Sequence, residues 1–262
     1  MALVVGSWVL AVVVTSCAKP HITLPTDAGI PLPDFKTIHM QISAACIGVR
    51  TLTAEIGMSG RAGRQKLRGR VVAGFARPTS MRLEGVAPFG PPAFILVARG
   101  ANATLLLPRD EPRVLRGAKP EDILGALTGV ALGPADLQAI LTGCVAPAPQ
   151  ATDARRHANG WASINLSDGT ILYLQPANQN MWTLRAATRD GWKIEYPAWS
   201  GNFPQTVRLQ STQPNVDVDL TASLSQIETN KDLEDAAFNV NVPSDAVPIT
   251  IDELRTAGPL GE

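Results

Sequence analysis

The reactive side chains of this chain are few and form no catalytic or metal-binding pattern. The 262 residues include three cysteines and three histidines. His21, His39 and His157 have no cysteine or carboxylate at the spacing that a metal site requires. The nucleophile-elbow, phosphate-loop and zinc-protease motifs are also absent from the sequence. The sequence therefore predicts a binding protein without enzymatic activity, cofactor or metal, although a triad assembled in three dimensions leaves no sequence signal.

Cys17 is the cysteine whose neighbouring residues indicate a chemical modification. It follows an almost wholly apolar run over residues 1–16, and this run ends on the small residues Thr15 and Ser16. An apolar segment that ends on small residues is typical of an export signal. The sequence Val14-Thr15-Ser16-Cys17 resembles the lipobox of bacterial lipoproteins, in which the thiol is acylated and the cysteine begins the mature chain. By this resemblance residues 1–16 are a signal peptide and Cys17 is the lipid-attachment site.

A membrane-spanning anchor or an uncleaved signal is the alternative for the same segment. A spanning helix needs about 20 apolar residues, and this run is shorter and is followed by Lys19 and Pro20. Signal peptides usually begin with a basic region, yet no Lys or Arg precedes Cys17. A start codon placed too far downstream would account for that absence. The length and the flanking residues favour the lipid anchor.

Composition narrows the class of the mature chain. Acidic and basic residues balance at 23 each, so that no overall field draws the protein to nucleic acid or to anionic lipid. The 22 glycines and 21 prolines, with aromatic residues at 5%, favour many short strands joined by turns. Cys46 and Cys144 remain after Cys17 is lipidated. They either pair in an oxidising compartment or remain two buried thiols.

The pattern along the chain predicts one domain behind a tether. Residues 17–33 contain four prolines and no apolar period, which indicates an extended, lipidated tether, and residues 34–262 form the domain. Helical spacing predicts an amphipathic helix over residues 35–48. From Thr51 onward, apolar and polar residues alternate in about six strands, then two short helices begin at Pro120 and Pro134, and about five strands follow.

This order predicts a mainly β, α+β fold. We expect a single curved, unclosed antiparallel β-barrel of about 11 strands, with short lid helices on its concave side.

A loop and a basic segment stand out within this pattern. Phe89 lies between Pro88 and Gly90 in a loop that joins two strands. It is either an exposed apolar tip that touches a membrane or acyl chain, or a plug that folds back into the core. Basic residues recur at every second position over residues 64–70, which places them on one face of a strand. A solvated outer face is the favoured interpretation, and a patch for an acidic partner or for lipid headgroups is the alternative.

Several segments, in order, are similar to LolB, the outer-membrane receptor of bacterial lipoprotein sorting. The resemblance extends from about Leu52 to Leu220. The segments that carry it are Ala87-Pro88-Phe89-Gly90, Leu127-Thr128-Gly129, Leu137-Gln138-Ala139-Ile140-Leu141-Thr142-Gly143, Trp192-Lys193-Ile194-Glu195-Tyr196 and Pro204-Gln205-Thr206-Val207-Arg208-Leu209. Phe89 stands where the family usually has a projecting leucine. The segment from Phe238 to Leu254 extends beyond the typical receptor end and looks more like the carrier relative LolA.

The resemblance implies a function in lipid handling. It implies an open barrel whose cavity receives acyl chains of lipoproteins from a periplasmic carrier, in a monomer anchored to the outer membrane and facing the periplasm. The loop Pro88, Phe89 and Gly90 would help to insert the cargo into the membrane. The residues expected to line the cavity are Met81, Leu83, Phe94, Leu96, Leu105, Leu107, Leu124, Leu127, Leu137, Leu141, Trp182, Leu184 and Trp192.

Other functions fit the same residues. A plain hydrophobic core requires the same apolar side chains, so that a structural envelope lipoprotein with a filled interior remains open. A LolA-like lipoprotein that binds another apolar ligand, such as a glycolipid or sterol, is a further alternative. A periplasmic hydrolase would need a pocket with convergent polar groups, and the sequence gives no sign of one.

Overall fold

A computed structural model describes residues 21–145, 150–178 and 181–257 of the chain. Cys17 and the predicted signal peptide therefore lie outside the described residues. The described residues form one sheet of 15 strands, accompanied by four α-helices and one short 3₁₀ helix. The expected mainly β class and the single unclosed sheet are thereby confirmed.

The strands pair in chain order except at three junctions. The strands are β1 (Ile30–Pro31), β2 (Thr51–Ala62), β3 (Gln65–Ala76), β4 (Ser80–Val86), β5 (Phe94–Arg99), β6 (Asn102–Leu107), β7 (Arg113–Ala118), β8 (Ala151–Arg156), β9 (Ala162–Leu166), β10 (Ile171–Asn178), β11 (Met181–Arg189), β12 (Trp192–Ser200), β13 (Phe203–Ser211), β14 (Val218–Thr229) and β15 (Val247–Pro248). Their spatial order is β1-β8-β9-β10-β11-β12-β13-β14-β2-β3-β4-β5-β6-β7-β15. Because β14 pairs with β2, the two halves of the chain join in the middle of the sheet, and β8 and β7 lie towards its two edges.

The expected count of about 11 strands was wrong. Six strands do lie between Thr51 and Ala118, but eight rather than five follow the two helices, and the two-residue β1 precedes all of these. The strand β8 has one buried side chain, Ala154, so that it lacks the alternation by which a strand is recognised. The strands β1 and β15 contain only two residues each, which is too short to show a periodicity.

Alternation of side chains gives the sheet one apolar face. In β2 and β3 the buried residues oppose one another across the strands, as in the pairs Leu52 with Phe75 and Ile56 with Val71. Period-two placement brings all of them to the same side, which is the concave side that the helices cover. Polar residues of the same strands occupy the opposite, convex face.

The first three helices begin where the sequence predicts, whereas the fourth helix and the 3₁₀ helix were not predicted. They are α1 (Phe35–Ile47), α2 (Pro120–Thr128), α3 (Pro134–Thr142) and α4 (Ile251–Ala257), and the 3₁₀ helix covers Asp235–Phe238. The α2 and α3 helices begin with a proline, whose missing N–H is not needed in the first turn. Each ends at a left-handed glycine, Gly129 or Gly143.

Gly143 is required for a second reason. A Cβ at this position would lie 2.5 Å from the Cη2 atom of Trp199, because the end of α3 packs against β12. The absence of a side chain therefore sets how closely α3 approaches the sheet.

The two ends of the chain act as straps over the convex face and the sheet edges. The N-terminal strap (residues 21–33) adds β1 to the edge of β8 and then buries Leu32 in the core. The C-terminal strap (residues 230–250) buries Phe238, adds β15 to the edge of β7 in parallel, and leads to α4, whose Leu254 is 2% exposed. Both straps cover edges that would otherwise offer unpaired backbone groups to another chain.

Cys46 and Cys144 form a disulfide that joins the end of α1 to the residue after Gly143, with their Cα atoms 5.7 Å apart. The bond closes a loop across 98 positions of the sequence. This pairing resolves the choice that the sequence left open between a disulfide and two thiols.

Replacing both cysteines, Cys46→Ser with Cys144→Ser, is expected to lower the free energy of unfolding by about 3–5 kcal/mol, because the unfolded chain regains the entropy of a long loop. Urea unfolding of both proteins, each with and without reductant, measures the effect. The reductant should shift the midpoint of the native protein towards that of the variant and leave the variant unchanged. An unshifted native midpoint would contradict the prediction.

Candidate functional site

The residues expected to line a cavity lie together beneath the helices. Nine of them are buried in the main apolar cluster, each at most 8% exposed, and Phe94, Leu137 and Trp182 pack against that cluster. Trp192 is partly buried in a second, smaller cluster with Val130 and Val218. The main cluster also contains residues that the sequence analysis did not select, although the same alternation marks them. These include Leu52, Phe75, Ile123, Ile140, Ile194 and Tyr196.

The interior between the sheet and the helices is closed to solvent in this conformation, since most of the expected lining residues are buried. Neither of the two best-formed cavities in the described part of the chain is lined by the expected set. One, of about 580 Å³, lies between β5–β7 and the C-terminal strap, and the other, of about 500 Å³, lies on the convex face beside Pro88. An acyl chain would therefore enter the concave side only if a covering element moved.

The α3 helix is fastened to its surroundings by directional contacts. The buried hydroxyl of Tyr196 donates a hydrogen bond of 3.1 Å to the carbonyl of Ile140, and burial raises the pKa of this tyrosine far above its ordinary range. Arg189 forms a salt bridge of 2.8 Å with Asp136 in the first turn of α3. With the disulfide beyond its end, α3 forms a unit with α1 and the sheet.

The α2 helix, in contrast, is held by apolar contacts. Within the described residues, none of its side chains makes a hydrogen bond or salt bridge to the sheet or to another helix, and the hydroxyl of Thr128 bonds to Leu124 of the same helix. Its apolar residues Ile123, Leu124 and Leu127 are buried against the core. A helix of nine residues is marginal by itself, so that packing alone maintains α2.

The loop between β4 and β5 presents its phenylalanine to solvent. Phe89 is 86% exposed, the largest value among the exposed large apolar residues of the described chain. The base of the loop is closed by a hydrogen bond of 2.8 Å from the N–H of Ala93 to the carbonyl of Gly85. Gly90 has a φ of +75°, the left-handed conformation that glycine adopts without strain. Phe89 therefore does not plug the barrel.

A network of charges holds the start of the N-terminal strap on the convex face. The carboxylate of Glu195 is almost fully buried between Lys193 and Arg208. It accepts a hydrogen bond of 3.2 Å from the N–H of Ile22, whose carbonyl accepts one of 2.6 Å from Lys193. The bidentate hydrogen bonds from Arg208 lower the pKa of Asp219 below its ordinary value.

A serine, a histidine and an aspartate meet further along the same strap. His157 Nδ1 lies 3.1 Å from Asp27 Oδ1, and His157 Nε2 lies 3.0 Å from Ser163 Oγ. The sequence offered no signal for this arrangement, because Asp27 is 130 residues from His157, although Ser163 is only six residues from it. Ser163 is 7% exposed in β9, which is paired on both sides with β8 and β10, and neither described cavity borders it. The arrangement fastens the strap to the sheet and gives no approach to a substrate.

The described residues contain neither a metal-binding cluster nor a helix suited to span a membrane. No group of three or more histidine, cysteine, aspartate or glutamate residues is arranged there to hold a metal ion. Among the helices of the described chain, none is long and apolar enough to cross a membrane.

Comparison with known proteins gives a likeness of fold. No family model and no curated protein matches the sequence. Similar solved structures include a LolA superfamily protein from Nitrosomonas europaea (12% identity, 78% of this chain and 98% of that chain, TM-score 0.49). A second match is a DUF1329 family protein from Desulfovibrio piger (11% identity, 80% of this chain and 97% of that chain, TM-score 0.51). A third is an outer membrane lipoprotein-sorting protein domain from Vibrio parahaemolyticus (10% identity, 78% of this chain and 95% of that chain, TM-score 0.47). What the Desulfovibrio piger protein shares with this chain at this identity is the fold.

The α2 helix is expected to open more often than α3. Backbone amides of α2 should exchange with deuterium faster than those of α3, because apolar contacts alone hold α2 while α3 has the disulfide, Tyr196 and Arg189. Hydrogen exchange read by mass spectrometry measures both helices in one sample. Equal protection of the two helices would contradict this prediction.

The Ser163, His157 and Asp27 contacts are expected to stabilise rather than catalyse. The variant Ser163→Ala should lower the free energy of unfolding by about 1 kcal/mol, because His157 loses a buried hydrogen bond. Thermal unfolding measures this change, and a chromogenic ester assay serves as the second readout. An esterase activity of the native chain that Ser163→Ala removes would overturn the structural role.

Proposed function

We propose that this protein is a lipid-anchored envelope protein that binds the acyl chains of lipoproteins and helps to insert them into the outer membrane. Its anchor is the acylated Cys17, its cargo comes from a periplasmic carrier, and its domain faces the periplasm. The observation that carries the proposal is the continuous apolar concave face, one of whose covers, α2, is held by apolar contacts alone.

The closed interior corresponds to the unloaded state in this proposal. Acyl chains in water are costly, since each buried methylene gains roughly 0.8 kcal/mol. When α2 moves away, acyl chains take the place of Ile123, Leu124 and Leu127 on the concave face. The exchange replaces one set of apolar contacts by another, so that binding stays reversible. The fastened helices α1 and α3 keep the rest of the interior dry.

The Phe89 loop delivers the cargo. Its exposed ring is a large apolar group on a short, closed loop, which is the form of a side chain that enters a membrane interface. Pro88 and Gly90 shape the turn on either side of the ring. The proposal thus assigns holding of lipid to the concave face and contact with the membrane to the loop.

A structural envelope lipoprotein is the second candidate function, and the closed interior is the observation that favours it. A LolA-like lipoprotein that carries another lipid would use the same concave face. Organic extraction of the purified protein, followed by mass spectrometry, separates these candidates. Co-purified lipoprotein supports the proposal, another lipid supports the carrier for that lipid, and an empty extract supports the structural protein.

The variant Phe89→Glu is expected to fold normally and to lose delivery of lipoprotein to the membrane, because a carboxylate does not enter the apolar region of a bilayer. The measurement is transfer of a labelled lipoprotein from its periplasmic carrier to this protein and then to vesicles. The first step should persist and the second should fall at least about tenfold, the effect of roughly 1.4 kcal/mol.

Ile47→Glu is the matched control, since Ile47 is also an exposed large apolar residue but lies at the opposite end of the strands. This control variant should deliver lipoprotein normally. Normal delivery by Phe89→Glu would exclude a role of the loop, and failure of the first step in the native protein would exclude the proposed function.

A further inference from the structure

We propose that the convex face beside the Phe89 loop is a docking surface for anionic phospholipid headgroups. Its basic residues are Arg64, Lys66, Arg68 and Arg70, and we call them the basic stripe. The inference rests on the proposed function, because it names the membrane surface on which that function takes place. The sequence favoured a solvated outer face for the stripe, with an acidic partner or lipid headgroups as the alternative, and the surrounding structure favours lipid headgroups.

The charge of the basic stripe is uncompensated. All four side chains are exposed, and within the described residues none of them forms a salt bridge or a side-chain hydrogen bond. Arg61, by contrast, is paired with Asp217 at 3.1 Å. The cross-strand neighbours of Arg68 and Arg70 in β2 are Ser59 and Gly57, which carry no charge. No carboxylate therefore lies directly opposite Arg68 or Arg70 in β2, and the nearest one on this face of the strand is Glu55, opposite Val72.

A groove of about 500 Å³ lies beneath the stripe. Gly57, Ser59 and Ser223 contribute small groups to it, and Arg68, Arg70 and Pro88 also line it. Small floor residues leave room between the arginines, and hydroxyl groups can donate to a phosphate oxygen. Arginine binds phosphate through two parallel N–H groups. The groove thus has the chemistry and the size for a phosphoglycerol headgroup.

Apolar residues border the groove on the side of the loop. Val86 lies opposite Arg70 in the β3–β4 pairing and is exposed, and Phe89 follows three residues later. Val72, two residues beyond Arg70 on the same face of β3, is exposed as well. Basic side chains next to exposed apolar ones are the combination by which a protein surface binds at a membrane interface. An acidic protein partner would use the charges but would leave Phe89 without a role.

The start of the N-terminal strap lies on the same face. Cross-strand pairing places Arg208, Thr221, Ser59 and Arg68 in one row across four strands, which spans about 14 Å at three strand spacings. His21 lies 3.2 Å from Arg208 in that row. Cys17 is four residues from His21, so that the predicted lipid anchor is at most about 14 Å from it. The anchor and the basic stripe can therefore reach the same membrane.

The test uses the full chain on vesicles and measures hydrogen exchange over residues 63–72 and 86–93. Vesicles of phosphatidylcholine alone are compared with vesicles of an equal mixture of phosphatidylcholine and phosphatidylglycerol. Exchange in both segments should be slower on the anionic vesicles, and added salt should remove the difference. Each arginine at an anionic surface multiplies binding roughly fivefold, so that Arg68→Gln with Arg70→Gln should lower the ratio of docked to undocked protein about thirtyfold.

The matched control is Arg116→Gln with Lys119→Gln, which removes the same charge from exposed residues at the other end of the strands. This variant should behave like the native chain. Equal exchange on the two kinds of vesicle, or native behaviour of the stripe variant, would overturn the docking surface. Protection that needs an acidic protein and not the anionic lipid would overturn it as well.

The outcome is separable from that of the proposed function. A chain that receives and delivers lipoprotein but shows no lipid-dependent protection contradicts the docking surface alone. A chain that docks on anionic vesicles but never takes up an acyl chain contradicts the proposed function alone.

Discussion

The structure depends on covering the apolar face of a sheet that does not close. The order of its 15 strands is linear, with β1 and β15 at the ends. The concave face and the edges at β8 and β7 therefore need cover from other parts of the chain. Apolar surface left in water costs about 25 cal/mol per Å², and open edges invite pairing with other chains. The helices cover the face, and the two straps cover the edges.

The helices that cover the concave face are held by different kinds of contact, and this difference connects the fold to a function. The α1 and α3 helices share a disulfide, and α3 is further bound by Tyr196 and Arg189. The α2 helix packs on the core without polar contacts to the sheet or to other helices in the described part of the chain. Apolar contacts have little directionality, so that α2 can exchange them for contacts with an acyl chain at small cost. A cover of this kind suits a protein that binds lipid and releases it.

The charged residues of the convex face also fall into two groups, one paired and one unpaired. Under the N-terminal strap its charges are paired and partly buried, as in the contacts of Arg208 with Asp219 and Glu195. At the β2–β3 hairpin the charges of Arg68 and Arg70 are exposed and unpaired within the described residues. Paired charges hold the strap to the protein, whereas unpaired charges remain available to a partner outside it.

Short-range patterns account for most of what could be predicted. Alternation along the strands, helical spacing in α1 and the prolines at the starts of α2 and α3 are local signals. They determined the class of fold, the limits of α1, the starts of α2 and α3, and most of the apolar residues on the concave face. The strand β8 and the two-residue strands were missed, because an edge strand with one buried side chain has no periodicity. The resemblance to the LolA and LolB superfamily also follows from the order of local motifs.

The tertiary structure decided what depends on residues far apart in the chain. It joined Cys46 to Cys144, brought Asp27 to His157, and returned both chain ends over the convex face. It also decided between the two positions of Phe89, which the loop sequence could not distinguish because both a plug and a tip are apolar. Sequence periodicity reports which face of an element is buried. Contacts between distant elements arise only when those faces are packed together.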